Sequence, residues 1–252
     1  MKKTFILLSF SVAIVSFNFK SIPTISVHSK VVLADTITAL SKQKIGSKSF
    51  FKAPNGKVYQ VTFENPNEGL DRDRLHCDTD DFFGTARKTP KTTLVTADLE
   101  NFDVLKTFLS GLPGDNSMIK NPLIKASPNK RVIEEKRNVK LTKVFLIAIK
   151  REPDNDYHMI IGDSKGNFFN TENSGLISTS PKKLKDVRKA IVDFMGGGFC
   201  SSKYQKFSPG IPIELEGSLF YDTEHKPGIV GPSDARPKTS WEIHPISNII
   251  FK

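Results

Sequence analysis

Alternation between apolar and polar positions is strongest in the C-terminal half of the chain, where five segments have the pattern of β-strands. Each is rich in β-branched and aromatic residues and is bounded by turn-forming residues. The predicted strands are Val139–Lys150, Asp156–Asp163, Gly166–Thr171, Ile211–Tyr221 and Trp241–Phe251.

A helix is predicted between the third and fourth of these strands, over Pro181–Met195. Its apolar residues recur at spacings of three and four, and three glycines follow it. The apolar face consists of Leu184, Val187, Ile191 and Phe194. The order β-β-β-α-β-β is that of the OB-fold. We therefore predict an α+β chain with an OB-like five-stranded β-barrel over residues 131–252.

The N-terminal half predicts a small αβ extension over residues 35–130. Lys57–Phe63 alternates as a strand, and the turn signal before it allows a hairpin with Lys48–Lys52. An apolar stripe predicts a helix over Thr96–Ser110. Asp115–Lys130 lacks periodicity, which predicts a linker and a domain boundary.

The N-terminus has the pattern of a secretory signal. A basic head precedes an uncharged apolar run, Thr4–Phe17, which is shorter than the roughly 20 apolar residues of a membrane-spanning helix. We expect residues 1–34 to contain the signal and its cleavage point; an uncleaved anchor is the alternative. The mature chain is then a secreted or periplasmic monomer without a transmembrane segment.

Two cysteines, Cys77 and Cys200, form an isolated pair. In an oxidising compartment such a pair predicts a disulfide. Neither cysteine lies in a Cys-x-x-Cys spacing, which disfavours a cysteine metal site.

The formal charge is +10, but residues 1–34 hold four lysines and no acid, so their removal leaves +6. A mildly basic protein has some affinity for polyanions such as nucleic acid. The predicted helix carries five basic residues, and a solvated lysine-rich surface explains them equally well. They are Lys182, Lys183, Lys185, Arg188 and Lys189.

Three groups of acids and histidines are candidates for chemistry. Period two places Asp154, Asp156 and His158 on one face of an extended chain, and likewise pairs Glu242 with His244. A third group follows the fourth strand and consists of Asp222, Glu224 and His225. Imidazoles with carboxylates suit zinc or a similar divalent ion.

A shared site requires side chains of the second and fifth predicted strands to lie close together. These strands are not neighbours in a five-stranded barrel, so we expect their groups to meet only across a barrel end. The hypothesis is that His158, Glu242 and His244 converge on one polar pocket and bind a metal. Alternatively, each histidine only fixes strand geometry through a local hydrogen bond, or the groups bind a ligand without metal.

Three segments resemble a family of secreted bacterial proteins of unknown function. They are Asp154–Asp163 (DNDYHMIIGD), Gly217–His225 (GSLFYDTEH) and the closing WEIHPISNI. The family carries D-x-D-Y-H-L-V-L, G-V-G-F-F-D-x-x-H and E-[IL]-H-P-V. The resemblance covers roughly residues 70–252 and implies one coherent unit, but no catalytic residue. This chain departs from it in a longer insert after His225 and in lacking an acidic-proline segment after the third strand.

A second likeness is to thermonuclease-type nucleases, OB-folds whose Asp-Gly-Asp-Thr segment is similar only in spacing to Asp154–Tyr157. Such nucleases hold phosphate with arginines, and the arginines of this chain are scattered, at Arg87, Arg151, Arg188 and Arg236. The residues establish no reaction. We expect a binding or structural module of the cell envelope or exterior with an anionic ligand; the alternative is a metal-dependent, nuclease-like hydrolase.

Overall fold

The computed structural model describes residues 44–45, 48–67, 75–126 and 129–252. The predicted signal segment lies outside these residues. Within the described ranges, no helix has the length and apolar character needed to cross a membrane.

The described strands join into a single sheet. In chain order they are β1 (Lys44–Ile45), β2 (Lys48–Lys52), β3 (Val58–Glu64), β4 (Leu99–Phe102), β5 (Asn138–Arg151), β6 (Tyr157–Gly162), β7 (Phe168–Asn173), β8 (Tyr204–Tyr221) and β9 (Trp241–Phe251). The helices are α1 (Lys88–Thr92), α2 (Leu105–Ser110), α3 (Asp115–Ile119), α4 (Pro122–Ala126) and α5 (Lys182–Phe194), with a 3-10 turn at Ile133–Glu135.

Five of the strands close into a barrel. They hydrogen-bond in the order β5, β6, β7, β9, β8, and β8 pairs again with β5. All of these pairs are antiparallel except β7 with β9, which run parallel. The closed five-stranded barrel and the α+β class are thereby confirmed. The arrangement is consistent with the OB-like barrel that the sequence predicts.

The predicted C-terminal helix is confirmed as α5. Its apolar face is buried as expected at Leu184, Val187, Ile191 and Phe194. Arg188 is buried as well, at 1% exposure, because it turns towards the loops instead of solvent. The helix therefore carries a smaller basic surface than its sequence suggests.

The predicted N-terminal hairpin is confirmed by the antiparallel pairing of β2 with β3. Its turn contains Gly56 at φ 82°, a left-handed conformation that glycine adopts without steric cost. β3 continues onto β8 in antiparallel register, so the hairpin extends the sheet of the barrel.

The helix predicted over Thr96–Ser110 is wrong in its first half. Leu99–Phe102 is a strand that runs parallel to the start of β5, and only Leu105–Ser110 is helical. The Asn138 side chain on β5 fixes the approach to this strand by donating hydrogen bonds to the Val95 and Ala97 carbonyls. An available sheet edge overrides the helical pattern, as tertiary pairing commonly does.

The region predicted as a linker contains the two short helices α3 and α4. The Asp115 carboxylate of α3 accepts hydrogen bonds from Thr239 Oγ1 and Ser240 N, which tie it to the segment before β9. The division of the chain into domains at residue 130 stays a prediction.

Both faces of β6 are buried, although only one faces the barrel interior. His158 and Ile160 project from the outer face. Val230 and Ala235 pack on Ile160 from outside the barrel. On another part of this face, Phe82 and Phe83 donate backbone hydrogen bonds to Leu176 O (2.8 Å) and Asp154 O (3.0 Å). We call residues 79–93 and 222–240 the covering segments.

The predicted disulfide between Cys77 and Cys200 is present, with the two Cα atoms 5.7 Å apart. It joins partners separated by 123 positions in sequence. The bond links the chain just before the first covering segment to the chain that follows α5.

Candidate functional site

Nine acidic and histidine side chains gather at the outer face of β6, β7 and β9, from these strands, the β5–β6 loop and the second covering segment. We call them the acid–histidine centre: Glu152, Asp154, Asp156, His158, Glu172, Asp222, His225, Glu242 and His244. Five of the nine, including two of the imidazoles, are at most 1% exposed.

Strand register brings the groups together. His158 on β6 lies directly opposite Glu172 on β7, and Asn170 on β7 lies opposite Glu242 on β9. Because alternate residues share a face, His158, Glu172, Glu242 and His244 all project outwards. The expectation that these groups meet only across a barrel end is wrong, because β7 lies between β6 and β9 and supplies the connecting carboxylate.

His158 is enclosed between two carboxylates. Its Nδ1 lies 2.8 Å from Glu172 Oε1 and 3.0 Å from Glu152 Oε1. The ring has no exposed surface. One strand residue and one residue of the β5–β6 loop therefore supply oxygen atoms to the same imidazole nitrogen.

His244 has the same surroundings on the other side of Glu172. Its Nδ1 lies 3.0 Å from Glu242 Oε1 and 3.2 Å from Glu172 Oε2. Its Nε2 lies 2.8 Å from Ser174 Oγ, and the Ser174 hydroxyl donates to the Lys91 carbonyl. The hydroxyl has only one proton to donate, so it accepts from His244 Nε2–H. When the ring is neutral, this proton position leaves the Nδ1 lone pair facing the carboxyl groups, of which Glu242 is hydrogen-bonded to it at 3.0 Å.

His225 enters the centre from the second covering segment. Asp222 Oδ2 lies 3.0 Å from its Nδ1, and the ring centroid is 5.9 Å from that of His158. The side chain is 22% exposed, which places it at the rim of the centre. Glu224, grouped with these two residues by sequence, is exposed and does not join them.

Asp154 and Asp156 do not lie on an extended chain. Asn155 has φ 78°, and its N–H donates to Glu152 O, so residues 152–156 form a turn. Asp156 still reaches the centre: its Oδ1 accepts from Gly175 N at 2.7 Å, and its Oδ2 lies 3.2 Å from His244 Nε2. Asp154 lies at the rim, 3.5 Å from Lys91 Nζ.

Sequence reasoning missed Glu172, the residue that contacts both buried imidazoles. The predicted third strand ended at Thr171, one residue short of it. The alternation of Asn170 and Glu172 on the polar face was a usable signal. No such signal pointed to Lys91, Glu152 or Lys150, because they reach the centre from a short helix, a loop and a strand end.

Burial shifts three carboxyl groups towards the protonated form. Burial and the neighbouring Asp156 raise the pKa of Asp154 to about 8. Burial raises the pKa of Asp156 to about 8 against the opposing charge of Lys91. Burial and the neighbouring Glu172 raise the pKa of Glu242 to about 8. At neutral pH these three acids hold protons.

The pKa of Glu172 shifts in the opposite direction, which favours the ionised carboxylate. Burial and Glu152 disfavour its charge, but His158 and His244 outweigh them and lower the pKa of Glu172 to about 2. In return, Glu152 and Glu172 raise the pKa of His158 despite its burial. Burial also disfavours the charged form of His225, yet Asp222 raises its pKa to about 10. Positive charge is therefore held close to Glu172 at neutral pH.

Several buried atoms in the centre lack a hydrogen-bond partner within the described part of the chain. They are Asp156 Oδ2, Glu172 Oε2, His225 Nδ1 and both ring nitrogens of His158, with Asn170 Oδ1 beside them. His158 Nδ1 is close to two oxygens, but the angles are not those of a hydrogen bond. Each unsatisfied buried polar group costs about 1–3 kcal/mol, and these atoms could be satisfied by a water molecule, an ion or another ligand.

The donors can accommodate a metal ion. Three sets of side chains have ligand atoms within 4.8 Å of one another, and Glu172 belongs to all three. The sets are Glu152–His158–Glu172, Asp156–Glu172–His244 and Glu172–His225–Glu242. Imidazole nitrogens with carboxylate oxygens are the donors of zinc and related divalent ions.

Three of the described arginines, Arg87, Arg151 and Arg188, are engaged by other groups and do not form a phosphate clamp. Arg151 and Arg188 lie over the Tyr157 ring, with guanidinium carbons 4.2 and 4.7 Å from its centroid. Arg87 is paired with Glu135 in the core. On α5, Lys182 and Lys189 form ion pairs with Asp186 and Asp193, which reduces the basic surface available to a polyanion.

No family model matches this chain, and neither a curated protein nor a solved structure matches it. Fold and site together define a class: a five-stranded barrel protein with an enclosed acid–histidine centre on its outer face.

Proposed function

We propose that this protein is an exported binding module that holds a divalent metal ion, such as zinc, in its acid–histidine centre. The principal ligands that we assign are Glu172, Glu242 and His244, and the ligand atoms of His225 lie within 4.8 Å of those of Glu172 and Glu242. The proposal retains Glu242 and His244 from the predicted metal site and assigns His158 to a neighbouring position.

The observation that carries the proposal is the environment of His244 Nδ1. When the ring is neutral and its Nε2–H donates to Ser174 Oγ, Nδ1 presents its lone pair to the carboxyl groups of Glu242 and Glu172, at 3.0 and 3.2 Å. Two ligands each about 2.1 Å from a tetrahedral ion are about 3.4 Å apart, so little movement is required. Ser174 acts as the orienting partner that metal-bound histidines usually have.

The barrel supports the OB-like assignment of the fold, and the disulfide supports export. Strand order, the parallel β7–β9 pair and the helix between β7 and β8 support an OB-like assignment. A disulfide persists in oxidising compartments, so the Cys77–Cys200 bond supports export.

Enclosure supports binding over hydrolysis. A hydrolytic metal centre needs an open coordination position that water and substrate can reach. His158 and His244 have no exposed surface, and the covering segments lie over them. We therefore propose no reaction, and a metal-dependent phosphodiesterase activity that is lost in His158→Ala would contradict this choice.

The test is zinc binding to the mature chain after removal of metal with a chelator. We expect tight uptake of at least one zinc ion per chain by competition with a chromogenic chelator. His244→Ala should weaken this uptake at least about 100-fold, because changes to orienting groups alone cost 10–100-fold.

His76→Ala is the matched control, since His76 stacks on Phe83 and belongs to none of the three candidate ligand sets. It should bind zinc as the wild type does. Absence of tight zinc uptake by folded wild-type protein, or equal loss in both variants, would refute the proposal.

A further inference from the structure

A second group of ligands lies beside the proposed metal position. It consists of Glu152 from the β5–β6 loop, His158 from β6 and Glu172 from β7. His158 Nδ1 lies 3.0 Å from Glu152 Oε1 and 2.8 Å from Glu172 Oε1. All three ligand atoms fall within 4.8 Å of one another. The set thus repeats the arrangement around His244: one imidazole nitrogen between two carboxylates.

Glu172 serves both groups with different oxygens. Its Oε1 faces His158 and its Oε2 faces His244. A carboxylate that directs one oxygen to each of two imidazoles has the geometry of a bridging ligand. Two-metal sites hold their ions about 3.5–4 Å apart, a separation that a bridging carboxylate spans.

His158 provides an independent sign of a missing partner. Its ring is completely buried, and neither nitrogen makes a hydrogen bond of acceptable geometry within the described residues. A buried imidazole normally satisfies both nitrogens, because leaving one unpaired costs about 1–3 kcal/mol. A cation bound at Nδ1 would be the partner that this nitrogen lacks.

Charge also favours a second cation. The centre contains six carboxyl groups, and two lysines contact it: Lys91 at Asp154 and Lys150 at Glu152. Metal binding displaces protons from its ligands; once the protonated acids and the histidines have released theirs, the six carboxylates carry four more negative charges than the two lysines balance. One divalent ion removes half of that excess, and a second removes the remainder.

We infer that the centre binds two divalent metal ions, with Glu172 as the bridge and Glu152 and His158 as the ligands of the second ion. This inference rests on the proposed function, because it assumes the first ion at His244.

Metal content separates the two claims. Metal-free protein is loaded with Mn²⁺ or Zn²⁺, freed of excess metal and subjected to elemental analysis. We expect about two ions per wild-type chain and about one in Glu152→Gln, which keeps the shape of the side chain and lies on a loop. Glu216→Gln, at a carboxylate paired with Lys140 outside the centre, should retain about two.

One ion in the wild type would overturn this inference and leave the proposed function standing. No ion would overturn both. Electron paramagnetic resonance of the Mn²⁺ form checks the bridge: coupled spins are expected in the wild type and an isolated Mn²⁺ signal in Glu152→Gln. Two uncoupled ions in the wild type would overturn the bridging role of Glu172. Circular dichroism confirms that each variant is folded.

Discussion

At the scale of single residues, Arg87 shows how a covering segment is fixed to the barrel. It has φ 48°, which is uncommon for a residue other than glycine. Its guanidinium forms two hydrogen bonds with Glu135, at 2.7 and 2.8 Å, and donates to Tyr221 O at 2.9 Å. Glu135 is fully buried. The charge pair therefore positions the backbone beside Lys91 and the centre.

Glu135→Gln should be strongly destabilising, because it leaves the buried Arg87 charge without its partner. We expect a loss of about 3–5 kcal/mol in the free energy of unfolding, measured with urea. The control is Glu100→Gln, which breaks the more exposed pair with Arg137 and should cost about 1 kcal/mol or less. Similar effects of the two substitutions would contradict this account.

The candidate ligands were predictable only in part. Period-two alternation identified His158, Glu242 and His244 because they lie on regular strands. Glu172 was missed because the third predicted strand ended one residue before it. Asp154 was assigned to the wrong geometry, because a positive φ at Asn155 turns the chain and cannot be inferred from alternation. Local patterns predict which face a residue occupies but not where a loop places it.

Protonation of the centre gives a pH prediction for the metal-free protein. Asp156 and Glu242 have a pKa of about 8 when folded, whereas carboxyl groups in an unfolded chain ionise near pH 4. Between these values the folded state binds more protons, so the free energy of unfolding falls as pH rises. His225, with its pKa raised to about 10, acts in the same direction above about pH 6.5.

Acids with a lowered pKa, such as Glu172, do not oppose this trend, because their stabilising contribution is complete above about pH 4. We therefore expect the urea midpoint of the metal-free protein to fall from pH 5 to pH 9. The double variant Asp156→Asn, Glu242→Gln should show a smaller decline. A midpoint that rises across this range would contradict the assigned protonation states.

At the scale of elements, the barrel was predictable because its strands are long, regular and rich in β-branched residues. The stripe of α5 was equally clear. The helix predicted over Thr96–Ser110 was wrong in part because the apolar spacing is helical, whereas the first half of the segment pairs with the edge of β5. That edge is formed by residues some 40 positions later, so no local pattern reveals it. The covering segments were unpredictable for the same reason.

The disulfide should stabilise the folded protein by tethering the chain beside a covering segment. The double variant Cys77→Ser, Cys200→Ser should unfold at lower urea, with a loss of about 2–5 kcal/mol, because the bond restricts a long stretch of the unfolded chain. Reduction of the wild type should produce the same shift. An unchanged midpoint would show that the bond contributes no stability.

At the scale of the whole molecule, the structure is a barrel whose outer face carries a buried charged centre. Two covering segments that are far apart in the sequence enclose that centre, so metal binding and the tertiary fold should be coupled. An ion that binds only the folded state stabilises it by about 2.7 kcal/mol at a free concentration 100 times its dissociation constant.

Zinc should therefore raise the melting temperature of metal-free protein in differential scanning calorimetry. His244→Ala should lose most of this response, and His76→Ala should keep it. A wild-type melting temperature that does not change with zinc would contradict the coupling of metal binding to folding.

Anomalous X-ray diffraction at the zinc edge, from crystals of zinc-loaded protein, tests the central claim most directly. We predict a strong anomalous peak about 2.0–2.2 Å from His244 Nδ1 and near carboxylate oxygens of Glu242 and Glu172. Hydrogen bonds alone joining these side chains, with no anomalous density among them, would contradict it.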